Sequence, residues 1–134
     1  MAEIVAFVNH GAASITPKIA DQVLHHLPMW KAEFAQINEP HFPHLSDQLE
    51  FLADALEDVL EGAYKDLPYT ALAGAAFALI YAHKKFGIIP EFVPNLGRAD
   101  DSSVVRCVLI QNEKAFAIYA GTQNLDWSKV TSEP

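Results

Sequence analysis

The feature that most constrains this chain is a segment that is apolar on every helical face, YTALAGAAFALIYAHKKF at residues 69–86. A helix without a polar face has to be surrounded by other elements or by lipid. The uninterrupted apolar run from Leu67 to Ala82 is shorter than the about 20 residues that a bilayer requires. Its many Ala and Gly residues also contribute little transfer free energy. The sequence therefore predicts a buried central helix, with membrane insertion as the less favoured alternative.

The N-terminal third of the chain carries the signals of two helical pieces followed by a loop. Thr16 followed by Pro17 is typical of a helix start, because Thr caps free N–H groups and Pro suits the first helical position. Pro28 is predicted to interrupt this helix, and a second piece is predicted to end near Asn38. Residues 38–45, NEPHFPHL, contain two prolines and are typical of a loop.

An amphipathic helix is predicted from Ser46, with Leu residues on one side and carboxylates on the other. The carboxylates fall within an arc of roughly 100°, and they are Asp47, Glu50, Asp54, Glu57, Asp58 and Glu61. We expect them to form a solvated face. A docking surface for a basic partner is the alternative.

The last helix is predicted to run from about Asp101 to Ala120 and to end at Gly121. The second apolar side of this helix consists of Cys107, Ile110 and Ile118. We expect the N-terminal segment or another subunit to cover it, with a homodimer favoured. The sequence thus predicts one all-α domain over residues 1–134. We expect a compact bundle of about four to five helices around a central Ala-rich helix, with a Pro/Gly corner before the last helix.

Composition excludes several classes of protein. Of the 134 residues, 51% are hydrophobic and 19% are charged, which is typical of a folded chain with a core. The net charge of −8 argues against nucleic acid and against electrostatic docking on anionic lipid. A lone Cys107 excludes an internal disulfide and a cysteine-rich zinc site. The first residues lack the basic region of a secretory signal, so we expect a soluble cytoplasmic protein.

Residues 87–101, GIIPEFVPNLGRADD, combine two prolines, two glycines and a pair of carboxylates. Gly87 is the predicted end of the central helix, and Gly97 allows a tight turn. Pro90 and Pro94 disfavour a helix that continues through this corner. Asp100 or Asp101 is then placed to accept the free N–H groups of the next helix, as an N-cap residue does.

The same segment resembles the signature of the YkvA-like domain family, in which a Pro-rich stretch ending in Gly-x-x-Asp-Asp lies between two apolar helices. The matching positions are Ile88, Ile89, Pro90, Glu91, Phe92, Val93, Pro94, Leu96, Gly97, Asp100 and Asp101. Glu91 stands where the family usually has Asp, and the Pro and Asp that the family carries at Lys85 and Gly87 are absent. The resemblance covers about residues 67–119. It implies a helical fold of the kind found in small bacterial proteins, some of them membrane-associated, and no agreed biochemical activity.

Two groups of side chains are candidate sites. The first consists of Glu91, Asp100, Asp101 and His83, which could bind a divalent metal or act as general acid and base. The alternative is that these carboxylates cap and brace the corner. The second consists of Glu39, His41 and His44, a weak candidate for a metal site in a Pro-rich loop, where the alternative is ordinary surface residues.

No phosphate loop, dinucleotide fingerprint or Ser-His-Asp arrangement occurs in the sequence. No cofactor is predicted, and a divalent metal is left open. Two functions remain: a non-enzymatic protein-interaction module that binds a protein partner or itself, and a small enzyme or ligand-binding bundle with a polar site at the corner of residues 83–101.

Overall fold

The computed structural model describes residues 2–84, 94–130 and 132–133. Within these residues the chain forms helices and no β-strand. The predicted all-α bundle is confirmed, although the helices number more than four to five. They are α1 (Ala2–Ala13), α2 (Pro17–Ala35), α3 (Leu45–Leu60), α4 (Tyr69–Lys84), α5 (Pro94–Gln111), α6 (Glu113–Thr122) and the short α7 (Trp127–Val130).

Helix α4 is the centre of the bundle, as its apolar sequence predicts. It contacts α1, α2, α3 and α5. Five of its Ala residues are fully buried, namely Ala71, Ala75, Ala76, Ala78 and Ala82. Small side chains allow four neighbours to approach one helix closely. None of the helices in the described part of the chain combines the length and the apolar character that crossing a bilayer demands.

Helix α1 packs on α4 at Gly11. A Cβ atom at this position would lie 2.2 Å from Cε1 of Phe77, so any larger residue would displace the Phe77 ring. Phe7, one turn earlier, meets Phe77 edge to face with the ring centroids 5.6 Å apart. The sequence left residues 3–9 unassigned, because a short apolar run fits a strand or a helix equally well.

Helix α2 begins as predicted. The Oγ1 atom of Thr16 accepts a hydrogen bond of 3.2 Å from the backbone N–H of Ile19. The prediction that Pro28 divides this helix is wrong, since α2 is continuous to Ala35. Both sides of Pro28 are anchored in the core, and the buried residues of α2 are Ala20, Val23, Leu27, Trp30 and Phe34. Tertiary packing therefore outweighs the local cost of the proline.

The predicted last helix begins earlier and is divided. Helix α5 starts at Pro94, because Pro suits the first turn of a helix as well as it disfavours the interior. A break at Asn112 separates α5 from α6. Gly121 lies inside α6. The residue with a left-handed backbone is Asn124, with φ 58°, beyond the end of the helix.

The hydrogen bonds around Asn124 form a Schellman-type ending. The N–H of Leu125 bonds to the carbonyl of Ala120 at 2.9 Å, and the N–H of Asn124 bonds to the carbonyl of Gly121 at 3.3 Å. Asn tolerates the left-handed region better than most residues. The stop predicted at Gly121 is therefore displaced to Asn124.

Candidate functional site

The candidate residue His83 lies in the last turn of α4 and faces α2. Its Nδ1 atom is 2.8 Å from Oε2 of Glu33, and both side chains are about one third exposed, at 34% and 35%. The imidazole also stacks on the ring of Trp30, with centroids 4.3 Å apart and planes 16° apart. The structure thus joins His83 to residues of α2 that the sequence did not connect with it.

A cleft opens beside this pair. It has a volume of about 490 Å³, and we call it the His83 cleft. It is lined by Ile19, Gln22, Val23, His26, Trp30, Ile80 and His83. The α2 members recur at helical spacing on one face, and the α4 members lie three residues apart. His26 stacks on Trp30 as well, with centroids 5.7 Å apart and planes 10° apart.

The sequence predicted a different set of partners for His83. Glu91 lies outside the described residues. Asp100 and Asp101 lie within α5, so the prediction that one of them caps the start of the last helix is wrong. Asp100 is exposed and Asp101 is fully buried. The signal for the observed site was the spacing of His26, Trp30 and Glu33 along one helical face.

The loop candidates come together only in part. His41 Nδ1 lies 3.0 Å from Oε1 of Glu39, and the backbone N–H of His41 bonds to the same oxygen at 3.2 Å. His44 occupies the N-cap position of α3 and makes no side-chain capping bond. Among the residues that the structure describes, no three His, Cys, Asp or Glu side chains are arranged to hold a metal ion.

The acidic face of α3 is solvated over only part of its length. Asp47, Glu50 and Glu61 are exposed. Lys31 of α2 pairs with Oδ1 of Asp54 at 2.7 Å and also with Glu57. Burial lowers the pKa of the Lys31 ammonium, but its hydrogen bonds to these two carboxylates outweigh burial, and the net pKa is raised.

The second apolar side of the last predicted helix is covered only at Cys107, which is 4% exposed. Burial raises the pKa of its thiol. Ile110 and Ile118 remain 49% and 56% exposed, so the N-terminal segment does not cover them. Ile118 borders a second cleft of about 400 Å³, which we call the Ile118 cleft. Its lining consists of Tyr64, Asp66, Pro68, Gln111, Asn112, Lys114, Ala115 and Ile118.

Comparison of the chain with family models, with curated proteins and with solved structures gives no match. The resemblance to the YkvA-like family therefore stays a prediction. Functional inference for this chain depends on the two clefts and the side chains around them.

Proposed function

We propose that the protein is a non-enzymatic helical interaction domain and that the Ile118 cleft binds a second copy of the same chain. The observation that carries the proposal is Ile118 itself, which is 56% exposed at the edge of an apolar cleft. Fully burying an exposed side chain of this kind is worth roughly 1.5–3 kcal/mol, and Ile118, which is already partly covered, would gain about half of that. A surface that covers Ile118 and fills the cleft therefore gains free energy.

The charges beside the cleft favour a second copy as the occupant. Asp66 and Lys114 are both exposed, and within the described residues neither takes part in an ion pair. In a two-fold symmetric interface the same patch meets itself, so a contact of residue i with residue j occurs twice. Lys114 of each copy can then face Asp66 of the other. The surface carries one charge of each sign and is self-complementary.

The apolar surface continues beyond the cleft. A neighbouring concavity of about 520 Å³ between α1, α4 and α5 shares Gln111 and Asn112 with the Ile118 cleft. It is lined in part by Tyr69, which is 46% exposed, and none of the described residues that line it is charged. An interface centred on Ile118 has room to extend in this direction.

The proposal includes a cytoplasmic location, and two features support it. The only cysteine is buried as a free thiol, and proteins of oxidising compartments tend to use cysteines as disulfides. The net charge of −8 disfavours attachment to anionic membrane surfaces.

Sedimentation equilibrium across micromolar concentrations tests the proposal. We expect a mass that approaches two chains, and a mass of one chain for Ile118→Glu and for Lys114→Asp. The double variant Asp66→Lys with Lys114→Asp restores the opposite charges and is expected to recover the dimer. Met29→Glu is the matched control, because Met29 is 66% exposed on α2 and does not line the cleft. A wild-type mass of one chain throughout, or dimers that survive Ile118→Glu, would refute this assignment.

The alternative function, a small enzyme or ligand-binding bundle, is favoured by a different observation, which is the Glu33–His83 pair beside the His83 cleft.

A further inference from the structure

The Glu33–His83 pair leaves one imidazole nitrogen available. In the neutral imidazole, a carboxylate that faces Nδ1 favours the tautomer with its proton on Nδ1, and Nε2 is then a hydrogen-bond acceptor. Within the described residues, His83 makes no hydrogen bond besides the one to Glu33. His83 also lines the cleft. A group that donates a hydrogen bond, such as a hydroxyl, is the natural partner of this nitrogen.

Trp30 holds the imidazole in a defined plane. Trp30 is 7% exposed, and its indole stacks on the imidazole of His83. The ring of His83 is therefore restrained in two ways, by a hydrogen bond at Nδ1 and by an aromatic surface. An acceptor that is oriented before binding loses less entropy when a ligand arrives.

The other residues that line the cleft determine which kind of ligand it can bind. Ile19, Val23 and Ile80 supply apolar walls, and the amide of Gln22 and the imidazole of His26 supply polar groups. Among the side chains that the structure describes, no Asp, Glu, Lys or Arg lines the cleft. A volume of about 490 Å³ lies in the range of small-molecule sites, which are mostly apolar with a few oriented polar groups.

We propose that the His83 cleft is a binding site for a small uncharged ligand that has an apolar body and a hydroxyl group, and that this hydroxyl donates a hydrogen bond to Nε2 of His83. Glu33 acts as a positioning residue, because it orients His83 and does not line the cleft. The site is distinct from the Ile118 cleft, because none of the described residues lines both.

A second His–carboxylate pair on α2 provides the contrast. Nε2 of His25 lies 3.4 Å from Oδ2 of Asp21, but these side chains are 74% and 63% exposed. Neither residue lines the His83 cleft. His25 thus also faces a carboxylate, but within the described part of the chain it has neither a cleft nor a stacked indole beside it. It serves as an internal control.

Titration with three matched probes tests the ligand chemistry. Phenol carries the hydroxyl, toluene has a similar body without it, and benzoate replaces it with a charge. The NMR signals of the imidazole Cε1–H groups report binding at each histidine. We expect phenol to shift the signals of His83 and His26 and to leave that of His25 unchanged. Toluene should bind roughly 3- to 10-fold more weakly, the effect of one typical hydrogen bond, and benzoate more weakly than phenol.

Three variants test the roles of the residues. His83→Asn and Glu33→Gln are each expected to reduce the preference for phenol over toluene. Glu33 does not line the cleft, so Glu33→Gln should leave toluene binding within about 2-fold of wild type. Ile80→Asp places a charge in an apolar wall of the cleft and should weaken binding of both probes. His25→Asn should change nothing. A thermal melt of each variant verifies that it is folded.

Several outcomes would overturn the assignment. They are a lack of binding by any probe, equal affinity for phenol and toluene, tighter binding of benzoate than of phenol, and an unchanged phenol preference in His83→Asn.

Discussion

The hydroxyl of Tyr119 donates a hydrogen bond of 2.5 Å to Oδ2 of Asp58 and so joins α6 to the acidic side of α3. Tyr119 is 1% exposed, and its ring meets Tyr64 and Phe51 edge to face, with centroids 5.1 Å and 5.6 Å away. A carboxylate that the sequence predicts to be solvated thus accepts a bond from the core. Burial, and next the bond to Asp58, raises the pKa of Tyr119 far above its usual value.

Replacing Tyr119 with Phe removes this bond and preserves the ring. Asp58 is half-buried and would lose its donor, so we expect the free energy of unfolding at neutral pH to fall by about 1–3 kcal/mol. Urea denaturation measures the change. Tyr64→Phe is the control. An equal loss of stability in both variants would show that the hydrogen bond to Asp58 does not account for the effect of Tyr119→Phe.

The raised pKa of Tyr119 also predicts a dependence of stability on pH. In the unfolded chain a Tyr loses its proton near pH 10, whereas the folded protein holds it to higher pH. The stabilisation is therefore fully present below about pH 10 and is lost as the pH rises above it, with a slope of up to about 1.4 kcal/mol per pH unit. The stability advantage of wild type over Tyr119→Phe should narrow between pH 9 and about pH 11. An advantage that stays constant over this range would contradict the prediction.

Two helical glycines should respond in opposite ways to Ala. Ala is intrinsically better in a helix by up to about 1 kcal/mol. Apart from its chain neighbours and the backbone of its own helix, no atom of the described residues lies within 4 Å of a Cβ added at Gly121, so Gly121→Ala should raise the melting temperature slightly. Gly11→Ala should lower it, because the new methyl group would displace the Phe77 ring that packs on Phe7. Differential scanning calorimetry measures the melting temperatures of both variants. A higher melting temperature for Gly11→Ala would contradict the close packing of α1 on α4.

Pro28 destabilises α2 locally, and the packing of α2 in the core compensates for this loss of stability. It is exposed in the middle of α2, and an interior proline costs about 3 kcal/mol or more. Pro28→Ala is expected to raise the free energy of unfolding by about 1–3 kcal/mol, since the greater freedom of the unfolded chain offsets part of the gain. Pro17→Ala, at the first position of the same helix, should give no such gain. Equal effects in the two variants would contradict this explanation.

Asp100 and Asp101 should differ sharply in their tolerance of Ala. Both lie inside α5, where Ala is favoured, and Asp100 is exposed, so Asp100→Ala should lower the melting temperature by less than Asp101→Ala does. Asp101 is fully buried, and its replacement should lower the melting temperature by several degrees, roughly 3–6 °C for each 1 kcal/mol lost. Equal sensitivity of the two positions would restore the view that they form one functional pair.

The sequence alone predicts what depends on composition and on local chemistry. The Ala-rich segment has no polar face, so its burial at the centre of an all-α bundle follows from hydrophobicity. Thr16 and Pro17 start α2 because the side-chain cap and the fixed φ act within one turn. Leu45–Leu60 is helical because its leucines and carboxylates alternate at helical period. Each of these properties can be predicted without knowing which helices are neighbours.

Only the tertiary structure decided where helices continue and which side chains meet. Pro28 lies inside a helix because the buried residues on both sides of it outweigh the local preference. Pro94 carries the same local signal but begins a helix. Glu33 and His83 are 50 positions apart in sequence, and Asp58 and Tyr119 are 61 apart. Contacts between residues so distant in sequence depend on how whole helices are arranged. The hydrophobic period of a single helix does not predict that arrangement.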